Sequence, residues 1–365
     1  MGFQCGIVGL PNVGKSTLYN ALTQTAAAQA ENYPFCTIEP NRGEVAVPDP
    51  RLDRVAKIAG SEAIVPTRLT FVDIAGLVRG ASRGEGLGNQ FLAHIREVGA
   101  IAHVLRCFTD ADVTHVEGRI DPVADAETVA TELMLADLDS LERRREPLSK
   151  RVRGGDKEAR PLLDLVERAI ALLSEGKPAR LLQRKEEEER AFRLLGLLTA
   201  KPVLYVCNVD EAAAASGNQY SAAVEAMARA EGASAIVISA KIEAEIALLR
   251  PAERREYLAA VGLAEPGLDR MIRAGYALLH LITFFTPGPK FCNAWTIPRG
   301  TRAPQAAGAV HTDFEQGFIR AEAISYADYV AYGGEAGARD AGRMRLEGKD
   351  NVVQDGDVLH FRFAT

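Results

Sequence analysis

Cysteine is scarce in this chain. Cys5, Cys36, Cys107, Cys207 and Cys292 stand far apart and form no C-x-x-C pair. An odd, scattered set argues against a disulfide framework and a zinc site, and it favours a reducing compartment, the cytoplasm. The six histidines form no H-E-x-x-H or similar ligand pair. No apolar run approaches the roughly 18 residues that a transmembrane helix needs, so no membrane association is expected. The N-terminus runs straight into a strand-like stretch, which leaves no room for a signal peptide. Met1-Gly2 fails the myristoylation pattern because position 6 is Gly. Basic charge is not in excess either: 43 Lys and Arg against 49 Asp and Glu give a net charge of −6. DNA binding is therefore not expected, and any RNA-contacting surface must be local.

The 365 residues, 47% hydrophobic and 25% charged, leave room for two or three domains with a sizeable core. Short β-like runs at Gly6 to Gly9, Gly43 to Val47, Leu69 to Asp73 and Ala102 to Phe108 alternate with helical stretches. The pattern resumes at Pro202 to Asn208 and Ala235 to Ser239, and it predicts an α/β doubly wound sheet. Between these blocks Met134, Leu138, Leu141 and Leu148 make an apolar seam at heptad spacing. A second seam runs through Leu162, Val166, Ala169 and Leu173. Gly154-Gly155 lies between the two, so an antiparallel, coiled-coil-like helical hairpin is expected, with Pro147 kinking or interrupting its first arm.

Eight basic residues surround the expected tip: Arg143, Arg144, Arg145, Lys150, Arg151, Arg153, Lys157 and Arg160. They fit either a solvated helix face or an arm that reaches for RNA phosphates. After about residue 280 prolines and short strand-like runs at Phe291 to Ile297, Gly317 to Ala323 and Asp357 to Phe363 suggest a small β-rich domain, in which acidic and basic residues nearly cancel.

Gly9-Leu10-Pro11-Asn12-Val13-Gly14-Lys15-Ser16 matches G-x-x-x-x-G-K-[ST] and follows the apolar run Cys5 to Val8. In such a loop backbone N–H groups cradle phosphates at the start of a helix, here with Thr17 next in line. Lys15 neutralises the β- and γ-phosphates, and the Ser16 hydroxyl binds Mg²⁺. Asp73-Ile74-Ala75-Gly76 is a D-x-x-G at a strand end, where Asp73 holds Mg²⁺ through water and the Gly76 N–H meets the γ-phosphate. Thr37, in the loop after the first helix, is expected to complete the Mg²⁺ shell. Asn208-Val209-Asp210-Glu211 and Ser239-Ala240-Lys241 take the positions that contact the base.

In their order these motifs resemble an Obg-type GTPase domain. The glycine-rich continuation from Asp73 to Leu92, containing Gly80, Gly84, Gly86 and Gly88, is the Obg-type switch signature. More narrowly, the chain resembles the YchF family of Obg-like ATPases over essentially its full length. Pro34-Phe35-Cys36-Thr37, Ala294-Trp295-Thr296-Ile297-Pro298 and His311-Thr312-Asp313-Phe314 carry that likeness. The resemblance implies a P-loop NTPase G domain at 1–128 and 200–280, an inserted helical hairpin at 129–199, and a β-grasp-like TGS domain at 281–365. It also implies the ribosome, as large subunit or whole particle, as a partner, with its RNA met by the hairpin and the TGS domain.

The base can be argued from side chains. In N-K-x-D GTPases the final Asp accepts from guanine N1 and N2, whereas here Val209 replaces the Lys and Glu211 the Asp. A carboxylate one methylene longer fits guanine poorly, and adenine offers it no matching donors. Asn208 keeps an amide able to bond either purine. ATP is expected over GTP, as the resemblance also implies. Leu77 stands where a water-orienting Gln is usual, so hydrolysis should be slow or use another group, for which His115 is the candidate. Asn12 is either a turn-former or, as in some related GTPases, a ligand for K⁺. A GTPase of the same fold, and a nucleotide-gated scaffold with incidental hydrolysis, are the alternative readings.

Overall fold

The computed structural model describes residues 3–30, 41–74, 87–110 and 119–364. The first seven strands are β1 (Gln4–Val8), β2 (Arg42–Ala46), β3 (Ala63–Val65), β4 (Arg68–Asp73), β5 (Ala100–Arg106), β6 (Val203–Asn208) and β7 (Ser234–Ile238). Six of them form one sheet in the order β2-β4-β1-β5-β6-β7. Strands β4, β1, β5, β6 and β7 pair in parallel. β5 and β6 are buried along their whole length, as central parallel strands covered on both faces must be. Their continuous apolar runs, AIAHVL and VLYVC, supply that burial. The expected doubly wound sheet is present.

The hairpin begins with helix Pro122–Arg153, whose entry is capped by the Asp121 side chain accepting from the Ala124 N–H at 3.1 Å. This helix runs on through Pro147 rather than stopping there. A proline forfeits one i→i−4 bond, while Leu141 and Leu148 on either side stay buried in the hairpin's apolar cluster. Gly155, at φ +91°, reverses the chain, and helix Arg160–Ser174 returns. Met134, Leu141 and Leu148 meet Leu163, Val166, Ala169 and Leu173 in one core. The root of the hairpin is locked by Asp137, buried at 2% exposure. Its carboxylate accepts from Leu198 N (2.8 Å), Thr199 N (2.8 Å) and Thr199 Oγ1 (2.7 Å), just before β6.

The chain divides into two compact units. The first holds Thr70–Met271 with the N-terminal segment to Thr25; the second holds Glu44–Leu69 and the residues from Ile272 onward. The second unit carries β8 (Leu281–Pro287), β9 (Phe291–Pro298), β10 (Phe318–Ile324), β11 (Arg345–Glu347) and β12 (Val358–Phe363). With β3 they form a sheet in the order β11-β10-β12-β8-β9-β3. β8–β9 and β10–β12 are antiparallel, and β12 runs parallel to β8, a β-grasp-like arrangement.

The sequence reading drew a boundary at 280 and left 44–69 in the first domain, whereas here 44–69 packs with the second unit. β3 pairs with β9, and helix Pro50–Ala59 lays Leu52, Val55 and Ala56 on Phe285, Cys292 and Val358. Its apolar i, i+3, i+4 spacing shows an amphipathic helix but not which sheet it covers.

Candidate nucleotide site

Parallel α/β sheets bind ligands at the carboxyl ends of their strands, and here the loops after β1, β5, β6 and β7 converge. They line a cleft of about 940 Å³. The loop after β1 contributes Leu10 to Asn12 and Gly14, and helix Lys15–Ala30 opens with Lys15, Ser16 and Thr17. Backbone shape demands the residue types. Asn12 (φ 63°) and Gly14 (φ 91°) are left-handed, a conformation that Asn and Gly tolerate best. A methyl added to Gly9 would lie 2.6 Å from the Val104 carbonyl oxygen of β5. One on Gly14 would collide with the Asn208 amide.

Asn208, at the end of β6, is buried at 4% exposure. Its Nδ2 donates to the Val13 carbonyl and its Oδ1 accepts from Ala240 N, both at 2.9 Å. The amide therefore ties the phosphate loop to the loop after β7. The sequence reading pointed this amide at a purine edge; the structure commits one donor and one acceptor of it to protein. Val209 is buried behind it and donates its N–H to the Ile238 carbonyl at 2.8 Å. Glu211 opens a short turn held by Asp210, whose carboxylate accepts from Ala213 N at 3.0 Å. The Glu211 carboxylate pairs with Lys241 at 2.7 Å, and that contact raises the Lys241 pKa. Among the described residues Ser239 Oγ is buried with no hydrogen-bond partner.

Asp73 closes β4, and its N–H donates to the Asn41 carbonyl at 2.9 Å. Burial raises its pKa, and the charge of Lys15 opposes the rise. Among the described residues its Oδ1 is buried without a hydrogen-bond partner. Such an orphaned carboxylate oxygen fits a water-mediated contact to a hydrated divalent cation. Among the described residues no cluster of three or more His, Cys, Asp and Glu could hold a metal alone.

The cleft thus gathers Asn12, Gly14, Lys15, Ser16, Thr17, Asn208, Val209, Glu211, Ser239 and Ala240. Val13 lies buried beneath, with its carbonyl used by Asn208. Thr37, Gly76, Leu77 and His115 lie outside the described residues. The sequence reading missed the loop after β5, where Phe108, Thr109 and Asp110 line the cleft. Arg106, 2% exposed, supports it: Nε donates to the Phe108 carbonyl (3.3 Å), Nη2 to that of Asp110 (3.2 Å), and the guanidinium sits 4.7 Å from the Phe108 ring. An arginine ending the apolar run AIAHVL was the available signal, since a charge is buried there only with partners.

Two family models match: one described as a 50S ribosome-binding GTPase over residues 4–136, and one for the C-terminal part of YchF GTPases, described as of unknown function, over 281–364. The chain is 56% identical over 363 residues to a protein of Haemophilus influenzae named ribosome-binding ATPase YchF, covering 100% of this chain and 99% of that one. It is 51% identical over 365 residues to the Bacillus subtilis protein of the same name, covering all of both. A solved structure titled as the Schizosaccharomyces pombe YchF GTPase superposes with a TM-score of 0.90 at 36% identity, covering 99% of this chain and 98% of that one. With the phosphate loop, the inserted hairpin and the β-grasp-like sheet all in place, the chain belongs to the YchF family of Obg-like P-loop NTPases.

Proposed function

We propose that this protein is an Mg²⁺-dependent ATPase that binds ATP in the β1–β7 cleft and acts as a nucleotide switch on the ribosome. The observation that carries the choice of base is the Glu211–Lys241 pair at 2.7 Å. At the position where a guanine-reading site keeps a free short carboxylate, this site has a longer one already neutralised by lysine. Adenine needs no acceptor there, whereas guanine leaves two donors unanswered, and an unmet polar group is what makes a site reject a ligand. The named ATPase relatives support the same reading.

Lys15 would hold the β- and γ-phosphates at the start of its helix, with the Gly14 backbone close beneath. The Ser16 hydroxyl and Asp73, through water, would hold Mg²⁺, with Thr37 as the further ligand. The metal would neutralise charge on the transferring phosphoryl group. Gly76 would meet the γ-phosphate. Leu77 supplies no water-orienting group, so intrinsic turnover is slow, and His115 is the proposed water-positioning side chain. Asn12 already serves the turn through its left-handed backbone; a K⁺ site there is a separate proposal, read from ATP hydrolysis with and without K⁺.

The hairpin tip would meet ribosomal RNA. Arg143, Arg145, Lys150, Arg151 and Arg160 pair with Asp139, Glu142, Glu146, Asp156 and Asp164. Exposed pairs of this kind are worth about 0–1 kcal/mol and exchange readily for phosphate. Arg144, Arg153 and Lys157 have no ion-pair partner among the described residues. The TGS-like unit supplies the second contact, and the work is cytoplasmic. No described helix is long and apolar enough to cross a membrane.

Calorimetry with ATP and GTP tests the base. A tenfold preference for GTP sinks the ATP reading in favour of the GTPase named for the Schizosaccharomyces pombe relative. Co-sedimentation with ribosomes tests the tip: binding unchanged after neutralising Arg144, Arg153 and Lys157 together with Arg143, Arg145 and Arg151 removes the RNA role.

A further inference from the structure

A second cavity, of about 460 Å³, lies wholly within the second unit, where β8 begins. Val47, Pro48, Tyr276 and Leu281 form apolar walls, Arg51, Arg273 and Arg299 bring positive charge to it, and the His280 imidazole lines it beside them. Two carboxylates, Asp49 and Asp355, also face it, but one guanidinium engages both. Arg51 bonds Asp49 through Nε and Nη2 (2.9 and 2.8 Å) and Asp355 through Nη1 and Nη2 (2.8 and 3.2 Å). Asp49 also caps its helix by accepting from Arg51 N, and Asp355 accepts from Thr283 N, each at 3.0 Å. The acidic groups are thus occupied with protein donors.

Arg299 and His280 are not. Neither side chain makes a hydrogen bond or close ion pair among the described residues, although the charge of Arg299 helps to lower the Asp355 pKa, and both are exposed at the rim. They are set side by side by their backbones: Arg299 N donates to the His280 carbonyl at 2.8 Å, and His280 sits at φ 53°. A left-handed non-glycine residue is uncommon and invites a functional explanation. Apolar walls with a few convergent polar groups, in a cavity between about 300 and 1,000 Å³, make the usual form of a small-ligand site.

We propose that this cavity is a second phosphate site, separate from the ATP cleft, which takes a nucleotide-sized phosphorylated ligand. Arg299 and His280 grip the phosphate, since guanidinium presents paired donors that match its oxygens. Tyr276, Leu281, Val47 and Pro48 take the less polar sugar and base. The ligand chemistry is a phosphorylated nucleoside, whether a free mononucleotide or one unit of an RNA strand.

The test uses the full chain with its ATP cleft saturated by Mg²⁺ and a non-hydrolysable ATP analogue. Calorimetric titration with uridine monophosphate, and separately with a short single-stranded oligouridylate, should show a further equivalent bound. Arg299→Ala should weaken that equivalent at least tenfold, and His280→Ala should weaken it as well, because each removes a donor to the phosphate. Neither variant should alter affinity for the ATP analogue. Monophosphate binding supports a free-nucleotide site; binding of the oligonucleotide alone supports an RNA contact. No binding of either, or equal binding by wild type and Arg299→Ala, overturns the proposal.

Discussion

Replacing Asn208 by Ala separates two roles that one amide could play. If the amide reads a purine edge, its loss should weaken one purine nucleotide more than the other. The structure instead spends it on Val13 and Ala240, both at 2.9 Å and both out of water. Truncation leaves a carbonyl and an N–H unpaired beneath the phosphate loop. Each orphaned group costs about 1–3 kcal/mol, so the loss of folding stability should be about 2–4 kcal/mol after water enters the gap. Nucleotide binding then has to re-order the loop, at tenfold in affinity for each 1.4 kcal/mol or so. ATP and GTP should weaken by the same factor, about ten- to a hundredfold. Asn208→Asp should be worse than Ala, because it keeps the acceptor for Ala240 but sets a carboxylate against the Val13 carbonyl. Urea denaturation and calorimetry with both nucleotides measure the two effects. A stability loss below about 1 kcal/mol, or a change in the ATP-to-GTP ratio beyond about threefold, would refute the tie and restore the amide to base reading.

Glu211→Asp shortens the carboxylate to the guanine-reading length and withdraws it from Lys241, so GTP should gain on ATP by about tenfold in competition binding; an unchanged ratio shows that Glu211 does not set selectivity. Asp73 has a raised pKa through burial, with Lys15 opposing, and a cation needs the ionised form. Mg·ATP affinity should therefore fall as pH drops through that raised value, with proton release on binding. Asp73→Asn should weaken binding and flatten the profile. In the nucleotide-free protein the same ionised carboxylate is a cost at neutral pH that is relieved on acidification. At the hairpin root, Asp137→Ala strands Leu198 N, Thr199 N and Thr199 Oγ1 and should cost about 3–5 kcal/mol in urea. Thr199→Val should cost about 1–2 kcal/mol; equal, small losses would mean the root is held otherwise.

What the sequence made legible was whatever is written locally. The phosphate loop sits where a strand, two turn-forming residues and a helix follow one another. The hairpin seam is a heptad pattern around a Gly-Gly turn. β9, β10 and β12 were visible from their composition. The strand β8 was not, because Leu281 to Phe285 is buried throughout and lacks the two-residue alternation that marks a half-exposed strand. Residues 44–69 were read with their neighbours in the chain, since a three-residue strand pairing with β9, more than 200 positions on, leaves no local trace. The role of Asn208 was hidden for the same reason. Its partners lie 195 and 32 residues away, and only folding makes them neighbours of an otherwise ordinary amide.

The three bonds of Asp137 close the hairpin into a ring at its root, across 61 and 62 positions of chain. Everything beyond that ring has its own apolar cluster, and none of it lines the cleft. The arm is in effect a ruler fixed at one end. From Asp137 to Arg153 a helix rise of ~1.5 Å per residue places the basic tip ~24 Å from the root. Adding or deleting a matched turn in both arms would move that tip by ~5.4 Å without touching a strand of the sheet. Reach toward a large partner can thus change while the chemistry of the cleft stays as it is.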